Sequence, residues 1–220
     1  MEETPPKRDT IIVDRGLASG GQRAHGLNRV LLMEKILREK VLDSQYWHVK
    51  ASQLQFYGLL KECVLHVGCV GTYENSAKTK TTKFVALLLR LLQLAEIPKD
   101  VVEWLVVGDH GHVYLSVLFM VYVRLVFEDS AEIWKLLERK YNEYDKVRYI
   151  ENGRVTDRHI DEIADGLLME SHFVDMTLPR LVRRWVLEEK GQLEERESLL
   201  ADEFEEMVEK LEQEEQQKES

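Results

Sequence analysis

In "HIDEIADGLL" (residues 159–168) an imidazole and the carboxylates of Asp161, Glu162 and Asp165 fall within roughly two helical turns. Asp161 and Asp165 are four apart and share one side of a helix. Two carboxylates so placed suit a cation or general acid–base work. They equally suit a helix N-terminus, whose unpaired N–H groups favour negative charge, and that account suffices. Cys63, His66 and Cys69 recur every three residues. A zinc ion would need a fourth ligand, offered by His110 or His112 in "DHGH". The paired CxxC or HxxxH elements common in structural zinc are missing, so buried, reduced cysteines and turn or cap histidines are expected. "GCVG" (Gly68–Gly71) has the GxxG spacing with which KH domains hold RNA backbone, but its flanks read as helical. No phosphate-binding glycine loop, HExxH helix or nucleophile elbow occurs. No catalytic, cofactor-binding or metal residues are therefore expected.

The remaining chemistry is cationic. "LPRLVRRWVLEE" (Leu178–Glu189) threads Arg180, Arg183 and Arg184 between apolar residues. Leu178, Leu181, Val182, Trp185 and Val186 follow the stripe of an amphipathic helix, with Thr177 as cap and Pro179 in the first turn. This predicts a docked helix with Trp185 buried. The arginines form either a solvated side or a grip on carboxylate or phosphate. Glu188, one turn beyond Arg184, competes for it.

The elements that position these residues read as helices. Four prolines and twelve glycines in 220 residues favour long regular segments, and 44% apolar content is enough for a core. Periodicity places helices from near Asn28 (Val30, Leu31, Ile36, Leu37, Val41 and Leu42 inward) and from about Gln53 to His66 (Leu54, Leu59, Leu60, Val64 and Leu65 inward). Thr81 or Thr82 caps the next helix, which Pro98 ends. Asp100 opens another and Gly108 stops it. His112 to Phe127 forms an apolar helix, too short and too charged at Arg124 for a membrane span. Ser130 and Asp157 cap two more, with a small hairpin around Asn152-Gly153 between them. The expectation is a predominantly all-α fold: one multi-helix globular domain over 25–190 with one small β-hairpin. A disordered segment (1–24) precedes it and an acidic, partly helical tail (191–220) follows. Leu200, Phe204, Met207 and Leu211 make a coiled-coil-like seam in the tail, too short to be stable alone.

Charge is unevenly divided. Residues 188–220 hold 14 acids and 4 bases, so the net charge of −10 lies entirely there, and the remaining 187 residues balance 26 acids with 26 bases. The body is not an electropositive nucleic-acid surface. No N-terminal apolar segment resembles a signal peptide. Two cysteines point to a reducing compartment rather than a disulfide scaffold.

The order of segments adds a resemblance. "HGLN", "EKILREKV" and "SQYW" (within 25–47), "RLLQL" (90–94), "YVRL" (122–125), "YNEYDKVR" (141–148), "HIDEIADGLL" and "LPRLVRRWVLEE" resemble the pre-mRNA-splicing factor 38 family in content and order. The central loop "YENSAKTKTTKF" lacks the prolines of relatives. An acidic segment stands where animal relatives carry an arginine-serine-rich extension. The resemblance implies a nuclear, non-enzymatic scaffold of the tri-snRNP and pre-catalytic B complex, required for spliceosome activation, when small nuclear RNAs are unwound. It implies partners that offer helical segments, namely a zinc-finger tri-snRNP protein and a microfibrillar-associated protein 1-like protein. Contact with small nuclear RNA would be weak or indirect, with none to membrane. Arg180, Arg183 and Arg184 would then be partner-binding. On the residues alone, a helical adaptor outside splicing stands as the alternative.

The charge division predicts weak binding of naked RNA. Deleting residues 191–220 should raise non-specific affinity and steepen its dependence on salt. Fluorescence anisotropy across a salt series measures both, and tight binding by the intact chain at physiological salt is the contrary result.

Overall fold

The structure is a computed structural model describing residues 15–17, 23–151, 153–196, 204, 207 and 208. The chain divides into a unit ending at Leu181 and a second beginning at Val182. Of the segment expected to be disordered, Arg15 pairs with Glu39 at 2.8 Å and Asp43 at 2.9 Å. β1 (Arg23–Ala24) and β2 (Leu27–Asn28) form a minimal hairpin. Asn28 is a cap, its side chain accepting from the Val30 N–H, but it caps a 3-10 turn over Arg29–Leu32. The α-helix starts later: α1 spans Lys35–Leu42 and leaves Ile36 exposed rather than inward.

"DSQYWH", expected as a turn, contains α2 (Gln45–Val49), where Ser44 Oγ accepts from the Trp47 N–H and Trp47 is buried. α3 spans Phe56–His66 and β3 is Val70–Gly71. Thr82 caps α4 (Lys83–Gln93) as predicted, and its hydroxyl also donates to the Gly71 carbonyl at 2.5 Å. α4 stops before Pro98, which precedes α5 (Lys99–Val107); Gly108 ends α5 as expected. α6 spans Val113–Val126. α7 (Ser130–Leu137) is capped by Asp129, whose shorter reach to the Ala131 N–H displaces Ser130 from that role. A 3-10 segment, Glu138–Asn142, leads to β4 (Lys146–Glu151). β5 (Arg154–His159), α8 (Ile160–Met169), β6 (His172–Phe173) and β7 (Met176–Thr177) complete the first unit. α9 (Arg184–Glu189) belongs to the second. Of the predicted tail seam, Phe204 and Met207 are exposed, while Leu200 and Leu211 lie outside the described residues.

The core is built on α6. Every residue from Leu115 to Val126 is buried, and α3, α4, α5, α7 and α8 all touch it. Phe84 to Leu89, Leu91 and Leu92 of α4 are buried beside it. Each such side chain contributes about 1.5–3 kcal/mol by leaving water. Arg124 lies within this core. Its Nε donates to the Leu167 carbonyl of α8 at 2.7 Å, and burial pushes its pKa down to about 10. Arg29, also buried, donates to Tyr122 Oη at 3.2 Å. No helix among the described residues is long and apolar enough to cross a membrane.

The predicted hairpin is part of a larger sheet. β4 and β5 pair without interruption from Lys146↔His159 to Glu151↔Arg154. β3 adds on the other side, parallel, with Val70 opposite Tyr149 and Gly71 opposite Ile150. Gly71 has φ +147, and a Cβ there would sit 2.4 Å from the Ile150 carbonyl oxygen, so the pairing requires glycine. The fold is thus helical with a small mixed sheet and two minimal hairpins among the described residues, not helices with one hairpin alone. The β6–β7 turn holds Val174 and Asp175 at φ +52. That conformation is costly for a β-branched residue.

Asp157 does not cap α8, because the ladder with β4 continues through it to His159. His159 is the cap. Its ring accepts from the Glu162 N–H, and Glu162 Oε2 accepts from the His159 N–H at 2.8 Å. His159→Ala should therefore cost about 1 kcal/mol of stability, and His159→Asp most of that less. Urea denaturation compares them; an unchanged midpoint in the alanine variant would remove the cap from this account.

Candidate interaction surface

α3 carries apolar residues on two sides. Leu59 and Cys63 face the core with Glu62, whose carboxylate lies 3.6 Å from Lys50 and accepts from Tyr46 Oη at 3.2 Å. The other side presents Tyr57, Leu60, Lys61, Val64 and Leu65, at the i, i+3, i+4, i+7 spacing of a helix side. Tyr57 is 85% exposed and Leu65 62%. Val64 and Leu65, expected inward, point out because Leu59 and Cys63 already fill the contact with the core.

Trp104 of α5 closes the facing wall. Together with Leu105, Leu115, His110 and His112 it bounds, with the outer side of α3, a groove of about 350 Å³. The histidines are fixed by hydrogen bonds. His110 Nε2 donates to the Leu105 carbonyl at 3.0 Å, and its Nδ1 accepts from the His112 N–H at 3.1 Å. Both ring nitrogens then have hydrogen-bond partners. The ring lies 5.4 Å from that of Trp104 and stacks at 5.8 Å on that of His112. Lys61 is the one fixed charge in the lining. A trough with an aromatic wall and a cationic rim suits the apolar face of an amphipathic helix flanked by carboxylates. The two-sided apolar pattern of "FYGLLKECVLH" is the sequence signal for this groove, and assigning all of it to the core concealed the groove.

The predicted arginine helix is shorter than expected. Thr177 pairs with His172 and its hydroxyl donates to Glu34 at 2.8 Å, while the Leu178 N–H donates to the Ser171 carbonyl at 2.9 Å. Strand pairing thus commits the residues that were to start the helix, and α9 begins only at Arg184. Arg180 is exposed in the first unit. In the second, Arg183 is exposed at the N-cap of α9, and Arg184 is ion-paired with Glu188 one turn on. Trp185, expected as a buried anchor, is 56% exposed, and Leu187 is buried instead. The stripe counted from Leu178 loses its phase because the first six residues are not helical.

The other candidates do not assemble. No group of three or more His, Cys, Asp or Glu side chains among the described residues is placed to hold a metal. Cys63 is buried, His66 Nδ1 lies 3.4 Å from Glu62 Oε2, and Cys69 is half-buried. His159 and Glu162 are occupied as a cap, and Asp165 accepts from Tyr141 Oη at 3.1 Å. "GCVG" ends in β3 rather than in a loop between helices.

The fold is thus a helical domain with a small sheet and an exposed apolar groove. The family model described as PRP38 matches residues 22–191, and the chain belongs to the PRP38 family. It is 36% identical over 189 residues to Pre-mRNA-splicing factor 38 of Arabidopsis thaliana, covering 82% of this chain and 50% of that protein. Identity to Pre-mRNA-splicing factor 38A is 36% over 191 residues in Xenopus tropicalis and 35% over 191 in Homo sapiens, each covering 83% of this chain and 57% of the relative. The chain thus spans about half the length of these relatives. Among solved structures, a chain of the Snu23-Prp38-MFAP1(217-258) complex of Chaetomium thermophilum superposes with a TM-score of 0.78 at 30% identity. The match covers 88% of this chain and 98% of that one.

Burial sets the reactivity of the two thiols. It pushes Cys63 up to about 12 and raises Cys69 as well. Ellman's reagent should modify Cys69 slowly in the native protein, Cys63 only on unfolding. Because the folded pKa of Cys63 is the higher, its contribution to stability is whole below pH 9 and declines as pH rises from 9 through about 12. Rapid reaction of both thiols at neutral pH would contradict this.

Proposed function

We propose that this chain is a nuclear, non-catalytic splicing protein that acts by binding helical segments of other spliceosomal proteins. It works in the tri-snRNP and pre-catalytic B complex and is required for activation, with small nuclear RNA contacted weakly or indirectly. The observation that carries the binding mode is the apolar groove between α3 and Trp104. The names of the relatives support splicing, and the complex of the structural neighbour supports partners like Snu23 and MFAP1. Arg180 and Arg183, both exposed, are proposed as separate contacts to partner carboxylates; Arg184 contributes only on release from Glu188.

Calorimetry against the MFAP1(217-258) segment of the neighbouring complex tests this. Trp104→Ala and Leu65→Glu should each lose roughly 2 kcal/mol or more of binding, the scale of a central aromatic anchor, with melting nearly unchanged. Arg180→Glu and Arg183→Glu should lose less, about 0.2–1 kcal/mol each if their contacts stay wet. Recovery of small nuclear RNAs with the tagged chain from nuclear extract tests the setting. Absence of any helical partner, with the groove variants indistinguishable from the parent, is the overturning result.

A further inference from the structure

Among the described residues, the sheet ends on a strand with one side unpaired. Its order is β3-β4-β5, so β5 meets a neighbour on one side only. Exposed edges of this kind are usually guarded by a proline, a bulge, an edge lysine or a very short strand. β5 has no proline, bulge or lysine and is not short; its guards are the charges of Arg154, Asp157 and Arg158. It is six residues long, reads "RVTDRH", and keeps one-to-one register with β4 throughout. Arg154 to Asp157 are exposed, and Val155 is 61% exposed. In an antiparallel ladder hydrogen-bonded and non-hydrogen-bonded pairs alternate. The pair closing the tight turn, Glu151↔Arg154, is of the bonded kind, so Val155 and Asp157 aim their backbone N–H and C=O groups away from β4.

The hairpin itself carries a charge opposite to the chain's own. Residues 146–159 hold Lys146, Arg148, Arg154 and Arg158 against Glu151 and Asp157, a net of +2 in a chain of net −10. Arg158 is engaged, stacked 4.0 Å from the Tyr149 ring centre and 3.4 Å from Glu151. Lys146, Arg148 and Arg154 have no ion-pair partner among the described residues, although the register sets Asp157 opposite Arg148 and Glu151 opposite Arg154.

We infer that β5 accepts an extended acidic segment of a partner protein as an added strand. The main chains pair through the outward groups of Val155 and Asp157. A carboxylate of the added strand meets Arg154, and an apolar residue next to it covers Val155. The pattern recognised is acid alternating with apolar, because successive side chains of a strand point to opposite faces. This surface is separate from the α3 groove and works whether or not the groove takes a helix.

The test uses the full chain and a short acetylated peptide in which glutamate alternates with valine, followed by amide NMR and hydrogen exchange. Saturable shifts should centre on residues 154–158, with exchange at Val155 and Asp157 slowed about tenfold or more at saturation. Arg154→Glu, and more mildly Arg154→Gln, should weaken binding about fivefold or more with unchanged melting. Methylating alternate backbone nitrogens of the peptide should abolish binding. No saturable shift at β5, or equal binding by the methylated peptide, overturns strand addition. Equal binding by a lysine–valine peptide overturns the charge preference. Tighter binding of oligouridylate at the same residues would make this face a nucleic-acid contact and overturn the proposal.

Discussion

A helix with no wet side dictates where everything else goes. α6 is buried from Leu115 to Val126, and any neighbour removed from it would leave an apolar stripe in water. Five helices meet this demand, and in doing so they consume the apolar sides of α4, α7 and α8 almost completely. The guanidinium of Arg124 inside this assembly is tolerated because the Leu167 carbonyl accepts from it. This hydrogen bond, if lost, would leave the guanidinium buried without that partner. It ties α6 to α8 at one register, and α8 in turn is anchored to the sheet through its cap at His159.

The exposed surfaces follow from what the core leaves over. α3 gives the core only a narrow stripe, so its remaining apolar residues, with Trp104 opposite, line a groove instead. The sheet exposes β5, and its β4–β5 hairpin carries Lys146, Arg148, Arg154 and Arg158. Two surfaces of different character result, an apolar groove and an open strand edge. An acidic tail on the same chain sets the sign of the long-range field without touching the identity of either surface.

Much of this was legible in the residues. Thr82 and Gly108 marked the start of α4 and the end of α5 because side-chain capping and glycine are local effects, while Asp100, read as opening α5, lies inside its first turn behind Pro98. The unbroken apolar run of α6 announced a central helix. The hairpin followed from β-prone runs around Asn152-Gly153, and the segment order carried the family. What failed were features decided at a distance. β3 is two residues long and has no periodicity to read; only its partner β4, far along the chain, makes it a strand. Asp157 is a good cap, but strand pairing claimed it. Leu178 and Trp185 fit one helical stripe only if a helix connects them, and the pairing of Thr177 with His172 prevents that. Ile36, Val64 and Leu65 show the limit of periodicity itself, which finds an apolar side without saying whether protein or partner covers it.

The parallel pairing of β3 with β4 sets the order in which the chain can assemble. Everything from α4 to α7 lies between the two strands. Helices α4, α5 and α6 can form from contacts near in sequence as the chain leaves the ribosome. β3 cannot: its partner has not yet been made. Closing that long loop is entropically costly for an open chain and far less so once the bundle holds its ends near one another. Gly71, admitted only where Ile150 arrives, makes the sheet a late seal on the bundle rather than a nucleus for it. A nascent chain halted before β4 would lack α8 as well as the sheet, leaving the side of α6 that α8 covers in water, a natural substrate for chaperones.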